Sequence, residues 1–532
     1  DWADGALRTE RGGVNPLAID IETNPKEQKI LCVGFAGSSD LGVSLSWNWE
    51  LKGLIKELCG SSQTQMLQNG LYDLYWLKMF GVSVANYQYD TMAMSHCLRP
   101  NNSHSLAFLA SLYTDEPYYK GGDDEDDEKV WEGSDWYALL EYNARDCMVT
   151  YEIGWEKLWP LLEAQGLTAR YQQHYRALFL PLLGLMTHGV QINQEIMEQE
   201  YGRLSAAARA AQRHAEALCG RRLSRVSGAG RQALLRRLEG ESGSALEKAI
   251  ARLRTPLDQV ERELSALGIS DQCLASLLYK DWKLPVQTHR KTGSVTVDEH
   301  ALRTLLQKVE KRGDQTQALF VQDVLAFRHL SKLKEFYSPA RVDEDGRMRC
   351  EYSYNTRPGR LKSKKNPLGG GANLQNQSRQ AREMFVPDHG CLMVEIDLSQ
   401  IQARFVYVMA YKASGDQKLL DLATSKPWVR NIHRQNCVEM FHVSYDEVTD
   451  EQYYKGKITE HASNFGLGAE HLQEIFLKGD EGVRVSLKEC QELIARKFAA
   501  KPGILDWQQA IREEALMTKK LVNAWGVELD VT

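Results

Sequence analysis

Acids in unexpected places are the first chemistry-bearing feature of this chain. In LAIDIETN (17–24) three apolar residues lead into Asp20, Ile21 and Glu22. Side chains alternate faces along a strand, so the two carboxylates point the same way, roughly 7 Å apart. Like charges on one face repel, and each loses hydration on burial. A divalent cation removes both difficulties, because Mg²⁺ and Mn²⁺ favour carboxylate oxygens. An isolated D-x-E equally suits a strand end reaching water, so the metal reading needs further acids.

Further acids are present. NGLYD (69–73) sets Asn69 and Asp73 four apart on an expected helix, and YNARD (142–146) does the same for Tyr142 and Asp146. Asp90, in YDTM (89–92), reads as structural, since the set of four acids is complete without it. Four carboxylates from one strand and two helices suit two divalent ions ~4 Å apart, which activate a water and stabilise the leaving oxygen of a phosphodiester. Tyr142, one turn before Asp146, is placed to orient that water. In this order and spacing the three motifs resemble those of DEDDy-type 3′–5′ exonucleases. The resemblance implies a ribonuclease H-like fold in an α/β domain. It also implies Asp20, Glu22, Asp73 and Asp146 as ligands of two Mg²⁺ or Mn²⁺ ions, Tyr142 beside the water, and a single-stranded DNA 3′ end as substrate.

The elements that must position these groups are legible as alternation. From residue 14 to about 160, strand-like and helix-like segments alternate in an α/β pattern. ILCVGFAG (30–37) reads as a buried strand and LYDLYWLKMFGV (71–82) as an amphipathic helix ending near Gly81. From about 165 to 340 the chain is mostly helical, with charged stretches such as ALEKAIARLRTPLDQVERELSAL. KTGSVTVDEHAL (291–302) inserts a turn and a helix start at Asp298. Beyond 341 come short strands, a Gly-rich turn at 369–371, a strand at CLMVEID (391–397), then helices.

Composition bounds the function. The chain has 532 residues, enough for roughly three or four domains, and at 43% hydrophobic it can bury substantial cores. No apolar run approaches the ~18 residues of a membrane span, so no membrane partner is expected. The polar start has no signal-peptide core and no initiator Met, which reads as a cut or processed N-terminus. Ten scattered cysteines without C-x-x-C favour reduced thiols and a cytoplasmic setting in a bacterial or phage-infected cell. Net charge is −6, but charge is segregated: DDEDDE (123–128) is an acidic loop, whereas RPGRLKSKK (357–365) and RRLSRVSGAGRQALLRR (221–237) are basic. Both basic runs are candidate contacts to DNA phosphates.

The remainder resembles family A DNA polymerases, those like bacterial DNA polymerase I, and their phage-type members in particular. MTHGVQIN (186–193), DQCLASLLYKDWKLP with TVDEHAL (271–302), and NTRPGRL with GANLQNQ (355–377) carry the resemblance. So does EIDLSQIQARF (395–405), where an apolar strand ends in Asp397 and a helix starts near Ser399. The resemblance implies a right-hand polymerase, with Asp397 and the Leu398 carbonyl as metal ligands and two ions per active site. Arg360, Asn373 and Gln375 are implied substrate contacts. Gln402 stands where the family has the Glu that packs under the incoming sugar; Gln keeps its size, so a steric gate is retained. Leu398 replaces the usual Tyr as a packing change.

YYKGKITEHASNFGLGAEHL (453–472) admits two registers against the family's R-x-x-x-K-x-x-x-(F/Y)-G-x-x-Y-G. One places Phe465 at the base-stacking aromatic, His461 at the Lys and Lys457 at the Arg. The other, which we prefer, places Lys457 at the Lys, His461 at the aromatic and Phe465–Gly466 at the terminal Tyr–Gly. Tyr453 then stands at the Arg position, leaving triphosphate charge partly to Lys455. In both, Lys457, His461 and Phe465 share one helical face toward the nucleotide. Lys457 neutralises triphosphate charge and protonates the leaving pyrophosphate. NIHRQNCVEMF (431–441) resembles the family's D-x-H segment with Asn431 for Asp; His433 there is either a phosphate contact or structural.

The family's second palm carboxylate, in an H-D-E segment, occurs nowhere, and AWGVELDVT (524–532) resembles the return to the palm. With Asp397 alone the polymerase metal site is incomplete, so synthesis by this chain alone is expected to be weak or absent. The expected organisation is exonuclease 1–165, thumb and connecting helices 166–340, palm 341–425, fingers 426–520 and a truncated palm return 521–532. The expected function is DNA-directed DNA polymerase with proofreading in DNA replication or repair, its partners being primer–template DNA, single-stranded 3′ ends and dNTPs. Two further readings stand beside it. One is a split polymerase needing a C-terminal partner chain or a processivity factor. The other is an exonuclease whose polymerase region only binds DNA.

Overall fold

A computed structural model describes residues 15–116, 136–223, 268–289, 292–478, 483, 485–523 and 526–531. The acidic run 123–128, residues 224–237 of the basic run and the charged stretch 245–267 lie outside the described residues. The chain divides into two compact units: Asp1–Glu198 with Phe336–Met393 and Glu514–Thr532, and Gln199–Glu335 with Val394–Glu513.

The first unit is built on a five-stranded sheet of β1 (Leu17–Asn24), β2 (Lys29–Ala36), β3 (Gly42–Ser46), β4 (Gln65–Leu67) and β5 (Tyr87–Asp90), in the order β3-β2-β1-β4-β5. β1 is antiparallel to β2 and parallel to β4. The β-rich sequence of β2 is buried almost throughout, as its apolar run requires. Helix α1 (Leu71–Met79) joins β4 to β5, α2 (Thr91–Leu98) and α3 (Trp136–Tyr151) come after β5, and α3 lies across β1, β2 and β3. Its approach depends on Gly34, which pairs with Asp20 across the ladder. A Cβ at Gly34 would come within 2.6 Å of Asn143 Oδ1 and Cys147 Sγ. Small residues Ala18 and Ala36 pack with Cys147 under the same helix.

Two local expectations are corrected here. Helix α1 is not amphipathic: Leu71, Leu74, Tyr75, Trp76 and Leu77 are all buried, because the core surrounds it. Asn69 does not share its face. It precedes the helix in a left-handed conformation (φ 55°), so the four-residue spacing to Asp73 is not helical. The same unit holds β6 (Val190–Ile192) between β10 (Phe385–Val386) and β7 (Arg347–Met348), and a hairpin of β8 (Glu351–Ser353) and β9 (Lys362–Lys364). Gly369 and Gly371 take positive φ in the expected turn.

The second unit is helical. Most of α4 (Gln194–Cys219), with α5 (Glu299–Arg312) and α6 (Gln315–Phe336), encloses a core that includes Leu274, Leu278, Leu302, Leu305, Phe320 and Val324. Asp298 caps α5 by accepting from the Ala301 amide at 2.8 Å, where the helix start was expected. Helices α7 (Ile401–Ser414), α8 (Ile432–Phe441), α9 (Asp450–Asn464), α10 (Ala469–Lys478) and α11 (Leu487–Ala500) contribute to two further cores, one that also takes Leu419 and Ile504 from neighbouring helices around Tyr407, and one around Met440, Leu472, Phe476 and Leu493.

The strand expected at 391–397 is not formed. The segment is irregular, and Leu392, Val394, Ile396 and Leu398 are largely exposed. Alternating apolar residues make a strand only where a neighbour supplies the hydrogen-bond ladder, and among the described residues none pairs with this segment. Asp397 therefore lies in an exposed connection rather than at a strand end, and the helix after it begins at Ile401.

Candidate active sites

In the first unit the structure brings the acids together. Asp20, Glu22 and Asp146 each offer an oxygen within 4.8 Å of the others. The pleat of β1 puts Asp20 and Glu22 on one face, and α3 delivers Asp146 over Gly34. Asp73 joins from the first turn of α1, where its Oδ1 accepts the Ile21 amide at 3.2 Å, between the two strand acids. Asp73 and Asp146 are buried; Asp20 and Glu22 are half-buried. Burial, then the charge of Asp20, raises the Asp73 carboxyl well above the usual carboxylate range. Three converging carboxylates, with Asp73 bonded beside them, form a site that could hold a divalent cation. Tyr142 lies one turn before Asp146 on α3 and is half-buried.

Sequence reasoning missed a second layer. Asn143, fully buried, donates from Nδ2 to Asp20 Oδ2 at 2.8 Å and accepts the Ser44 hydroxyl at 2.6 Å. The available signal was a polar residue three before Asp146, on the sheet-facing side of a helix. Asp90 is a helix cap: it accepts from the Ala93 and Gly70 amides, each at 2.8 Å, and from the Tyr87 hydroxyl. Its acceptor capacity is used by these three donors, the structural role expected of it.

In the same unit, Arg360 is exposed beside the β8–β9 hairpin, and its carbonyl accepts the Thr356 hydroxyl. Asn373 caps a short turn through Oδ1, which takes the Gln375 amide at 3.1 Å, and Gln375 is exposed. Arg357, Lys362, Lys364 and Lys365 are also exposed, with Lys364 3.3 Å from Glu351.

In the second unit α9 starts at a capping box made by Thr449 and Gln452. Its outer face carries exposed Lys457, half-buried His461 and, at the cap, exposed Phe465; its inner face buries Thr459, Glu460, Ala462 and Ser463. Gly456 lets the helix close onto α8, since a Cβ there would collide with Cys437 Sγ. The structure thus presents the Lys-His-Phe stripe outward, in keeping with either register. Lys455 is not available for a triphosphate: it pairs with Glu489 at 2.7 Å and Glu451 at 2.9 Å. Tyr453 accepts from the Asn431 side chain at 3.4 Å, and Asn431 caps α8.

His433 is buried, with Nδ1 2.6 Å from Glu460 Oε2, and its ring centroid lies 5.0 Å from that of His461. The other oxygen of Glu460 accepts the Tyr407 hydroxyl. Burial pushes the Glu460 carboxyl up, but hydrogen bonding and charge from His433, with Lys501 and Tyr407, hold it below the ordinary value. Burial, followed by the electrostatic influence of the neighbouring His433, lowers the pKa of His461. Asp397, Leu398 and Gln402 are exposed. Gln400, in a left-handed conformation, accepts the Ile432 amide at 3.0 Å and ties the start of α7 to α8.

Comparison with known proteins gives this arrangement its class. The description "DNA polymerase family A" matches residues 238–527, more than half of the chain. The chain belongs to the family A DNA polymerases. It is 28% identical over 280 residues to DNA polymerase I of Pseudomonas aeruginosa, covering 51% of this chain and 27% of that protein. It is 24% identical over 475 residues to DNA polymerase I of Rhizobium leguminosarum, covering 86% of this chain and 39% of that one. The chain thus spans well under half the length of these relatives. The fold is similar to the POL domain of Pol1 from M. smegmatis, solved in complex with DNA primer-template and dNTP. That likeness has a TM-score of 0.67 at 17% identity, over 97% of this chain and 77% of the other. No helix among the described residues is long and apolar enough to cross a membrane.

Proposed function

We propose that this chain is the proofreading 3′–5′ exonuclease and nucleotide-binding part of a DNA-directed DNA polymerase. The observation that carries the exonuclease reading is the convergence of Asp20, Glu22 and Asp146 within 4.8 Å, with Asp73 bonded to the backbone between the strand acids. When bound, divalent ions supply the Lewis acidity that activates water and stabilises a leaving oxygen. The chain's own residues do the rest. Asn143 holds Asp20 in one orientation, the Ile21 amide holds Asp73, and Tyr142 orients the attacking water at a DNA 3′ end. On the second unit, Lys457, His461 and Phe465 receive the dNTP, with Lys457 meeting the triphosphate. Arg360 and its basic neighbours hold primer–template phosphates.

Labelled primer–template incubated with Mg²⁺ tests this. The unmodified chain shortens the 3′ end, and Asp20→Ala or Asp146→Ala slows shortening by roughly a thousandfold. Shortening that survives Asp20→Ala removes the exonuclease assignment.

A second reading, synthesis only with another polypeptide, is favoured by one observation. Residues 391–398 alternate apolar side chains that stay exposed outside any sheet. Primer extension that appears only after addition of a polypeptide carrying an H-D-E palm segment supports it, and extension by this chain alone rejects it.

A further inference from the structure

We propose that Glu460 is a positioning residue for nucleotide binding, acting through His433. The proposal rests on the reading of the α9 outer face as a dNTP site.

Glu460 is wholly buried on the inner face of α9, directly behind His461. A buried carboxylate is tolerated only when its oxygens are occupied by good donors. Here each oxygen has its own donor from a different helix: the Tyr407 hydroxyl from α7 and His433 Nδ1 from α8, the latter at 2.6 Å. The carboxylate thereby joins the three helices that carry the motifs resembling the polymerase family. Neither neighbouring acid duplicates it. Glu439 is paired with Lys501 at 2.5 Å and Lys418 at 3.0 Å, and Glu451 pairs with Lys455 at the far end of α9.

The chemical consequence lies at His433. A carboxylate accepts but does not donate, so the hydrogen between these groups is shared from the imidazole side, on Nδ1. That contact fixes the ring's rotamer, keeps a hydrogen on Nδ1 and leaves Nε2 as the nitrogen for a ligand. The ring stands 5.0 Å from His461 and 6.5 Å from Tyr453, centroid to centroid, behind the stripe that begins at Lys457. With Glu460 on one nitrogen and a phosphate oxygen on the other, the ring takes up a second proton on Nε2 as the nucleotide binds and then donates to both anions. This arrangement adds a second phosphate contact beside Lys457 in a motif where Tyr453 and Lys455 have other partners.

The test uses the full chain on a dideoxy-terminated primer–template with a templating dT, and Mg·dATP as probe. Glu460→Gln weakens Mg·dATP binding about tenfold, the loss expected of one charge-assisted hydrogen bond. His433→Ala weakens it to a similar degree, and the double variant binds no worse than His433→Ala alone. Nitrogen-15 spectra of labelled histidine in the unmodified, unliganded chain show His433 protonated at Nδ1, and Glu460→Gln removes that preference. Tyr407→Phe, which keeps the carboxylate, retains the His433 signature and weakens binding less.

Unchanged affinity in Glu460→Gln overturns the proposal, and so does additive loss in the double variant, which signals a purely structural carboxylate. If Glu460→Gln does not fold, an unmodified chain with His433 bare at Nδ1 overturns it without any variant. If the unmodified chain shows the expected His433 signature yet binds no Mg·dATP, the dNTP reading of the face fails first and takes the proposal with it.

Discussion

Asn143 holds Asp20 through a hydrogen bond of 2.8 Å, and Ser44 in turn holds Asn143 at 2.6 Å. The relay runs from β3 to α3 and back to β1, so the orientation of a carboxylate of the proposed metal site is set by residues outside the acid cluster. Such outer partners fix which oxygen lone pairs face the ions.

Replacing Asn143 by Ala therefore slows the proposed nuclease by about ten- to a hundredfold and raises the Mg²⁺ concentration needed for half-maximal rate. Ser44→Ala has the same direction and a smaller size. Rates of 3′-end shortening across a Mg²⁺ titration measure both, and an unchanged Mg²⁺ requirement in Asn143→Ala counts against the relay.

Asp90 gives the opposite pattern. It is buried and satisfies two backbone amides and the Tyr87 hydroxyl. Asp90→Ala strands these donors and costs about 2–4 kcal/mol of stability. Denaturant unfolding records the loss, while the Mn²⁺ affinity of the folded fraction stays at the unmodified value.

Lys497 provides a pH signature. Its ammonium is buried and donates to Asn464 Oδ1 at 2.8 Å, and burial lowers its pKa from the ordinary 10.5 to about 7. Between these values the unfolded chain binds a proton that the folded chain does not, so this group makes stability rise with pH, by at most about 1.4 kcal/mol per unit. Below pH 7 both states are charged and the burial penalty is felt in full. Lys497→Met escapes the penalty. Its stability advantage over the unmodified chain is thus largest at pH 6 and shrinks toward pH 9, as read by denaturant titration at both values.

The exposed basic segment around Arg360 predicts a steep salt dependence of primer–template binding. Arg360→Ala lowers affinity at low salt and flattens the slope of log affinity against log salt by about one. Equal slopes in the two proteins, measured by fluorescence anisotropy, remove Arg360 from the phosphate contacts.

Much of this was legible along the chain because short-range rules govern it. The period-two pattern of β1 placed Asp20 and Glu22 on one face, the four-residue step joined Tyr142 to Asp146, and the Lys457–His461–Phe465 stripe followed from helical geometry. Asp298 declared its helix start through capping chemistry. These features depend on neighbours within one or two turns, so residue order suffices to state them.

Features that depend on distant partners were not legible in that way. CLMVEID has strand-like alternation yet forms no strand, because a ladder needs a second segment that its own residues cannot specify. Asn69 left the helix because the turn before α1 takes a left-handed residue there. Lys455 is held by Glu489, 34 positions away, and Glu460 finds its partners in Tyr407 and His433, which arrive from separate helices. Local periodicity assigns a side chain to a face. Which charge or hydrogen-bond partner meets it there is settled by packing, since Coulombic and hydrogen-bond energies depend on distances across the fold.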